Sequence, residues 1–346
     1  MTSRLVNILP RIVYVNQTSF VKGRSIFDNV LLAQEITHDI NSKVKGGNII
    51  FKLDITKAYN NLNWNFLYNV LSLFGFSQAF IQLVRNSIEN CFFSVIINGR
   101  NYDFFKSLQG LRQGDPLSPA LFIIVMDYLL RGLEELYKRH PSLLYHTMGG
   151  MLITYLSFAD DFIVFSNGSV KNIKVLVQFL LNFQNISGLA INKDKSSFFV
   201  SKGVNQGRIN TIKCICDFNC ICLPIKYLGT PIFRRRKRDQ IFEEIITIFQ
   251  KKIANWNSNF LSFGGRLVLI KSILNSIHIY IFHTLNPIIS IFLRMERMIN
   301  KFFWGAKNNN NYIYWSSWNK VCGDLNEGGL GCKSYMDTVK AFSYKL

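Results

Sequence analysis

Apolar and polar positions alternate along this chain in short, well-punctuated blocks. Ile49 to Leu53 (IIFKL) is a short apolar run that predicts a strand and ends on Asp54. From Asn65, the residues Phe66, Leu67, Val70, Leu71 and Phe74 recur at helical spacing before Gly75, which predicts a helix. Phe92 to Asn98 reads as a strand, Asn98-Gly99 as a hairpin turn, and Tyr102 to Phe105 as the returning strand. Ser118-Pro119 supplies an N-cap and a first-turn proline. The helix behind it buries Leu121, Ile124, Val125, Tyr128, Leu129 and Leu133 and runs to about His140. Leu152 to Phe158 and Phe162 to Phe165 are strands flanking Ala159-Asp160-Asp161, so both aspartates are expected on a tight turn. A helix over Val170 to Phe183 and a short strand pair around Ala190 to Val200 complete an α+β unit.

The pattern changes after Pro231. Arg234, Arg235, Arg236, Lys237 and Arg238 precede three helical patterns, Gln240 to Trp256, Arg266 to Thr284 and Ile288 to Trp304, which predict a separate helical subdomain. Asn308 to Asn311 reads as a surface loop. Five positive residues before a helix N-terminus oppose the helix dipole, which favours a contact with a nucleic-acid backbone over a plain solvated face.

Composition narrows the class. The 346 residues are 49% hydrophobic, enough for more than one core. Forty Lys and Arg against 21 Asp and Glu leave a net charge of +19, which favours nucleic acid or an anionic membrane as partner. The longest apolar stretch, Ala120 to Met126, is too short to span a bilayer, and the N-terminus lacks the pattern of a secretory signal. No membrane partner and an intracellular protein are therefore expected. Cys214, Cys216, Cys220 and Cys222 form C-x-C-x3-C-x-C, but zinc ligands are usually spaced differently, and the alternation reads as cysteines on a strand.

The chemistry centres on three carboxylates. Asp54 ends one apolar strand, and Asp160 with Asp161 occupies a hairpin turn about a hundred residues later. If those strands are neighbours, the carboxylates form a clamp for hard cations. Two Mg²⁺ ions roughly 3.5–4 Å apart would suit phosphoryl transfer to a hydroxyl. Taken alone, Asp-Asp in a turn is ordinary turn chemistry.

The surrounding motifs decide between these readings. NQTSFVKGRSIFDNVLLAQE (Asn16 to Glu35), FKLDITKAYNNLNW (Phe51 to Trp64), LQGLRQGDPLSP (Leu108 to Pro119), YLSFADDFIVF (Tyr155 to Phe165), SGLAINKDKS (Ser187 to Ser196) and IKYLGTPI (Ile225 to Ile232) follow one another in order. Together they resemble plant LINE-type, non-LTR reverse transcriptases over nearly the whole length. The resemblance implies an α+β right-hand polymerase: partial fingers over residues 1–48, a palm with inserted finger elements over 49–232, a helical thumb over 233–306, and the start of a C-terminal region over 307–346. It implies an RNA-directed DNA polymerase that takes an RNA template, a DNA primer and deoxynucleoside triphosphates. Two Mg²⁺ ions, with Mn²⁺ as a substitute, and a nuclear location also follow from it.

By the same resemblance Asp54, Asp160 and Asp161 are the metal ligands. Tyr59 lies under the sugar of the incoming nucleotide, where it would exclude a 2′-hydroxyl; its alternative is a core tyrosine. Gln113 and Gly114 approach nucleotide and template, or form an ordinary polar turn. Lys22 and Arg24 meet the triphosphate, or are plain surface cations. Lys195 serves the leaving pyrophosphate, with Lys193 as a rival on the same strand face. Tyr227, Leu228 and Gly229 resemble the primer grip and read equally well as structural.

The chain departs from the family pattern at Asn60 and Asn63, where Asp is common. Neither is a metal position, so only local polar contacts change. Relative to the family the chain is expected to lack upstream finger strands and downstream regions, with weakened catalysis as the consequence. The alternative function is an impaired remnant that only binds nucleic acid. A nucleotide cyclase, also a palm-type two-metal enzyme, lacks the finger and thumb motifs.

Overall fold

The structure, a computed structural model, describes residues 1–150, 152–234, 239–256, 260–285, 287–305 and 314–343. The chain divides into two compact units, Met1–Leu228 and Gly229–Leu346. Among the described residues no helix is long and apolar enough to cross a membrane.

In the first unit α1 (Thr2–Ile12) and α2 (Ile26–His38) lead into β1 (Asn48–Asp54), and α3 (Ala58–Asn61), α4 (Trp64–Leu73) and α5 (Gln78–Glu89) follow. A hairpin of β2 (Phe92–Ile97) and β3 (Arg100–Lys106) precedes α6 (Ser118–Arg139). Then come β4 (Tyr155–Phe158), β5 (Asp161–Asn167), α7 (Val170–Ser187), β6 (Ser197–Val200), α8 (Gln206–Cys216), β7 (Asn219–Cys220) and β8 (Ile225–Tyr227). The main sheet has the order β4-β5-β1-β6-β7. Its pairs are antiparallel except β6 with β7, which is parallel.

The apolar run of β1 explains its central place. Ile49, Ile50, Phe51 and Leu53 are all buried, as a strand needs when helices or loops cover both faces. At about 1.5–3 kcal/mol per large side chain, four such residues anchor the sheet. The core continues through α4, α6 and α7, where Leu67, Val70, Leu121, Val125, Leu129 and Leu176 are buried. Helices segregated from a small, largely antiparallel sheet are the α+β class.

The second unit opens with β9 (Thr230–Ile232) and α9 (Asp239–Asn255). A broken helical stretch of α10 (Phe263–Leu269), a π-type turn at Ile270–Leu274, α11 (Asn275–Ile277) and α12 (Ile279–Thr284) follows. Next are α13 (Ile289–Phe303), α14 (Trp318–Val321) and α15 (Tyr335–Ser343). Its own core gathers Phe242, Phe249, Leu274, Phe282, Met295, Ile299 and Tyr335. The middle of the three expected helices is thus interrupted, whereas the first and third run within a residue or two of the sequence limits.

Of the other local expectations, the hairpin at Asn98-Gly99 is met and several are corrected. The Asn98-Gly99 turn has φ of 49° and 78°, the type I′ pattern, but the hairpin it closes is largely solvent-exposed. Ser118 is the first residue of α6 rather than its side-chain cap. The entry is held by Asp115, whose Oδ1 accepts from Leu117 N at 2.9 Å. The cysteines are not on one strand: Cys214 and Cys216 lie on α8 and Cys220 on the two-residue β7. Asn205 caps that helix by accepting from Arg208 N, and this local bond wins over the apparent alternation. Asn192 to Lys195 forms a turn, so the expected strand pair reduces to β6 and a bridge at Ile191. Arg235, Arg236, Lys237 and Arg238 of the basic run, and the Asn308 to Asn311 loop, lie outside the described residues.

Candidate active site

The end of β1 and the β4–β5 hairpin build the site. β1 pairs with β5 without a slip from Asn48↔Asn167 to Asp54↔Asp161. Residues directly opposite in an antiparallel pair project to the same face, with Cβ atoms about 4.5–5.5 Å apart, so these two carboxylates are neighbours. Asp160 lies in the two-residue turn, which is closed by the Phe158↔Asp161 pair. Asp161 therefore opens β5 instead of sharing the turn. Ala159, the first turn residue, has φ 56°, a conformation usually left to glycine.

Burial and the neighbouring carboxylates both weigh against negative charge on Asp160 and Asp161. Burial raises the Asp161 carboxyl to about 6; Lys52 opposes the rise, whereas Asp54 and Asp160 add to it. Burial likewise raises Asp160, and Asp54 pushes in the same direction. Asp161 Oδ1 is buried with no hydrogen-bond partner among the described residues. An orphaned carboxylate oxygen beside two further carboxylates is a donor set that hard divalent cations fit.

Two lysines partly neutralise the cluster. Lys52 Nζ is 3.9 Å from Asp161 Oδ2, and Lys195 Nζ is 3.7 Å from Asp54 Oδ2. Asp161 and Asp54 are thus each turned to an ammonium group of their own. Among the described residues no group of three His, Cys, Asp or Glu side chains is gathered as a ready-made metal site.

The segment bearing Lys195 is locked to β1. Asn192 N donates to Asp54 O at 2.8 Å, Thr56 N to Ala190 O at 2.8 Å, and Asp54 N to Ser196 Oγ at 3.1 Å. Asn192 Oδ1 accepts from Asp194 N and Lys195 N, an Asx turn that aims Lys195. Lys193 instead pairs with Asp217 at 2.7 Å. The two lysines sit on a turn and diverge, so the expectation of one shared strand face is corrected.

Tyr59 is half-buried and stacks on Phe122, with centroids 5.1 Å apart and planes at 29°. Burial raises its hydroxyl, and the charge of Asp160 adds to the rise. The loop before α6 docks on the same residues: Leu111 N donates to Tyr59 O at 2.5 Å and Gly110 N to Leu62 O at 2.8 Å. A Cβ on Gly110 would come within 2.5 Å of Asn60 O, so only glycine permits this approach. Gln113 and Gly114 lie further along the loop, exposed; Gly114 has φ 91° and open space around it. Asn63, one of the departures, caps α4 by accepting from Phe66 N at 3.2 Å.

Lys22 is exposed and makes no ion pair among the described residues. Arg24 is a correction. Its guanidinium donates to the carbonyls of Tyr14, Gln17 at 2.5 Å and Val13 at 2.7 Å, and burial lowers its proton affinity. A fork spent on backbone carbonyls holds the chain and is not presented to a triphosphate. Tyr227 is fully buried, and Leu228 and Gly229 both have positive φ, 47° and 79°.

Sequence reasoning missed Lys52, Gly110 and Gln17. Lys52 was legible, since a charged residue two before Asp54 in an apolar strand must share its face. Gly110 and Gln17 carry no comparable local signal, because their contacts lie with distant segments.

Comparison with known proteins adds a family. Residues 1–232 match the family described as reverse transcriptase (RNA-dependent DNA polymerase). The chain is 35% identical over 146 residues to the retrovirus-related Pol polyprotein from type-2 retrotransposable element R2DM of Drosophila melanogaster, covering 42% of this chain and 13% of that one. It is 24% identical to the transposon TX1 149 kDa protein of Xenopus laevis, covering 98% of this chain and 25% of the relative. A solved apo telomerase of Candida tropicalis aligns with a TM-score of 0.47 at 14% identity, over 88% of this chain and 54% of that one. The chain therefore spans at most a quarter of these two curated relatives.

Proposed function

We propose a polymerase reading from one premise: the chain belongs to the reverse transcriptase (RNA-dependent DNA polymerase) family. Its relatives include proteins of non-LTR elements, so the kind of reverse transcriptase is LINE-type. The narrower likeness to plant elements rests on the six motif stretches. In this reading the unit extends a DNA primer along an RNA template with deoxynucleoside triphosphates. The observation that carries it is the Asp54↔Asp161 register with Asp160 in the adjoining turn.

Asp54, Asp160 and Asp161 would hold two Mg²⁺ or Mn²⁺ ions. When bound, these would ease deprotonation of the primer 3′-hydroxyl and stabilise the leaving pyrophosphate. The chain's own groups do the rest. The 3′-oxygen attacks the α-phosphorus as the α–β bond breaks, so proton demand falls on the pyrophosphate oxygen. Lys195, exposed and aimed by its Asx turn, is suited to supply charge or a proton there. Tyr59, braced by Phe122 and Leu111 N, offers a fixed ring to the sugar of the incoming nucleotide. Gln113 and Gly114 would approach template and nucleotide, Lys22 would meet the triphosphate, and Tyr227, Leu228 and Gly229 would hold the primer end.

Primer extension on RNA and DNA templates tests this reading. Extension with Mg²⁺ or Mn²⁺ is expected, and Asp160→Asn should lower it about a thousandfold, the effect of losing roughly 4 kcal/mol of transition-state stabilisation. Unchanged extension by a folded Asp160→Asn protein would remove the carboxylate cluster from the mechanism.

A further inference from the structure

Gln17 is wholly buried, yet it lies outside every regular element, in the segment between α1 and α2. Its side-chain Oε1 accepts from Ala159 N at 3.3 Å and from Ser19 N at 3.2 Å, and its Nε2 donates to Ser157 Oγ at 3.1 Å. The surrounding backbone is laid against β4: Ser157 N donates to Asn16 O at 3.0 Å and Thr18 N to Ser157 O at 3.2 Å. Gln17 is itself held, because Arg24 donates to its carbonyl. Tyr14, three residues earlier, is fixed by the buried Asp127, which accepts from Tyr14 N at 2.7 Å.

One amide therefore braces both Ser157, two residues before the turn, and Ala159, the turn residue immediately before Asp160. Ala159 is the residue forced to positive φ, and such a conformation persists only where its surroundings over-determine it. Its buried N–H needs an acceptor, and Gln17 Oε1 supplies it across 142 positions of sequence. Two hydrogen bonds on the turn and its strand fix the backbone from which Asp160 and Asp161 project.

We infer that Gln17 is a positioning residue for the aspartate pair: it holds the turn in the geometry at which Asp160 and Asp161 face the same cation site as Asp54. The inference rests on the polymerase reading above. Groups behind metal ligands set the ligands' orientation, and their loss typically costs about 10- to 100-fold in metal affinity or activity. Gln17→Met, similar in shape but without the amide, should therefore weaken Mn²⁺ binding about tenfold or more, with a similar loss in kcat. The KM for deoxynucleotide and the affinity for primer–template should stay within about twofold, because a turn behind the carboxylates touches neither ligand.

The test is Mn²⁺ titration of the full chain followed by electron paramagnetic resonance of the free ion, beside steady-state extension and thermal unfolding. Asn29→Leu is the matched control. It removes another buried hydrogen bond to the same strand, Asn29 Nδ2 to Ser157 O at 2.8 Å, without touching the turn. It should lower Tm while leaving Mn²⁺ affinity and kcat per folded molecule near the parent's. If Gln17→Met does not fold, Gln17→Asn, which is too short to reach both Ser157 and Ala159, should show the same loss of Mn²⁺ affinity. A folded Gln17 variant with the parent's Mn²⁺ affinity and kcat would overturn the inference while leaving the polymerase reading intact. A parent that neither extends primers nor binds Mn²⁺ in an Asp160-dependent way would overturn both.

Discussion

Asp54 and Asp161 stand directly opposite each other at the last rung of the β1–β5 pair, with Asp160 one residue away in the turn. Like charges facing across a strand pair destabilise a sheet, and here burial adds to the cost. Lys52 and Lys195 offset part of it, each against one carboxylate. The fold thus carries an arrangement that a pair of apolar residues would stabilise better; in the polymerase reading proposed above, its use lies in binding cations.

That cost is measurable through Asp161. Its carboxyl is raised to about 6 from an ordinary value of 3.8, with burial as the main cause. Between these values the folded state binds more protons than the unfolded one, so the carboxylate lowers stability as pH rises from about 4 to 6 and keeps it lowered above. Asp161→Asn should therefore raise Tm in chelator at pH 8, with the gain shrinking to nothing near pH 4. Thermal unfolding across this range is the measurement; a gain independent of pH would mean the carboxylate is not the source.

Lys195 and Lys193 separate cleanly by their partners. Lys195 faces Asp54, whereas Lys193 is committed to Asp217. Lys195→Gln should lower kcat about 100-fold, the usual scale for a positioned proton donor. Lys193→Gln should change it less than about threefold, since exposed ion pairs contribute little. Single-turnover extension by both variants decides, and equal losses would count against the assignment.

Tyr59 braces on Phe122, and in the proposed reading the other face of its ring meets the sugar of the incoming nucleotide. Tyr59→Val opens room for a 2′-hydroxyl, and discrimination against ribonucleotides should fall about tenfold or more, on the scale of one lost steric contact. Competitive incorporation of ribo- and deoxynucleotides gives the ratio. An unchanged ratio with retained activity would assign Tyr59 to the core.

The second unit has its own titrating group. His278 is buried, with its ring centroid 4.1 Å from that of Tyr335 and 4.7 Å from that of Phe282. Burial lowers it to about 4, against a hydrogen bond with the Leu274 backbone that works the other way. A depressed histidine contributes stability above its unfolded value of about 6.5, and that contribution is lost as pH falls toward 4. The loss amounts to about 3 kcal/mol at 1.36 kcal/mol per pH unit. His278→Leu should flatten the pH dependence of unfolding over that window, read by denaturant titration at several pH values.

Read alone, the sequence determined the elements around the site. The apolar run ending on Asp54, the strands flanking Asp160 and Asp161, and the long helix after Ser118 were legible because short-range periodicity and turn chemistry fix them. Motif order also identified the family. The same local reading misplaced Cys214 to Cys222, where a helix cap outweighed an alternating pattern, and it assigned Lys195 and Lys193 to a strand where an Asx turn forms. Tertiary structure alone decided the rest. It set the Asp54↔Asp161 rung, divided Lys195 from Lys193, turned Arg24 to backbone carbonyls, and brought Gln17 to Ala159. Each of these depends on which strand lies beside which and on which buried polar groups must find partners. The strands of Asp54 and Asp161, and the segments of Gln17 and Ala159, 142 positions apart, meet only after the sheet has closed, and neither periodicity nor spacing encodes that meeting.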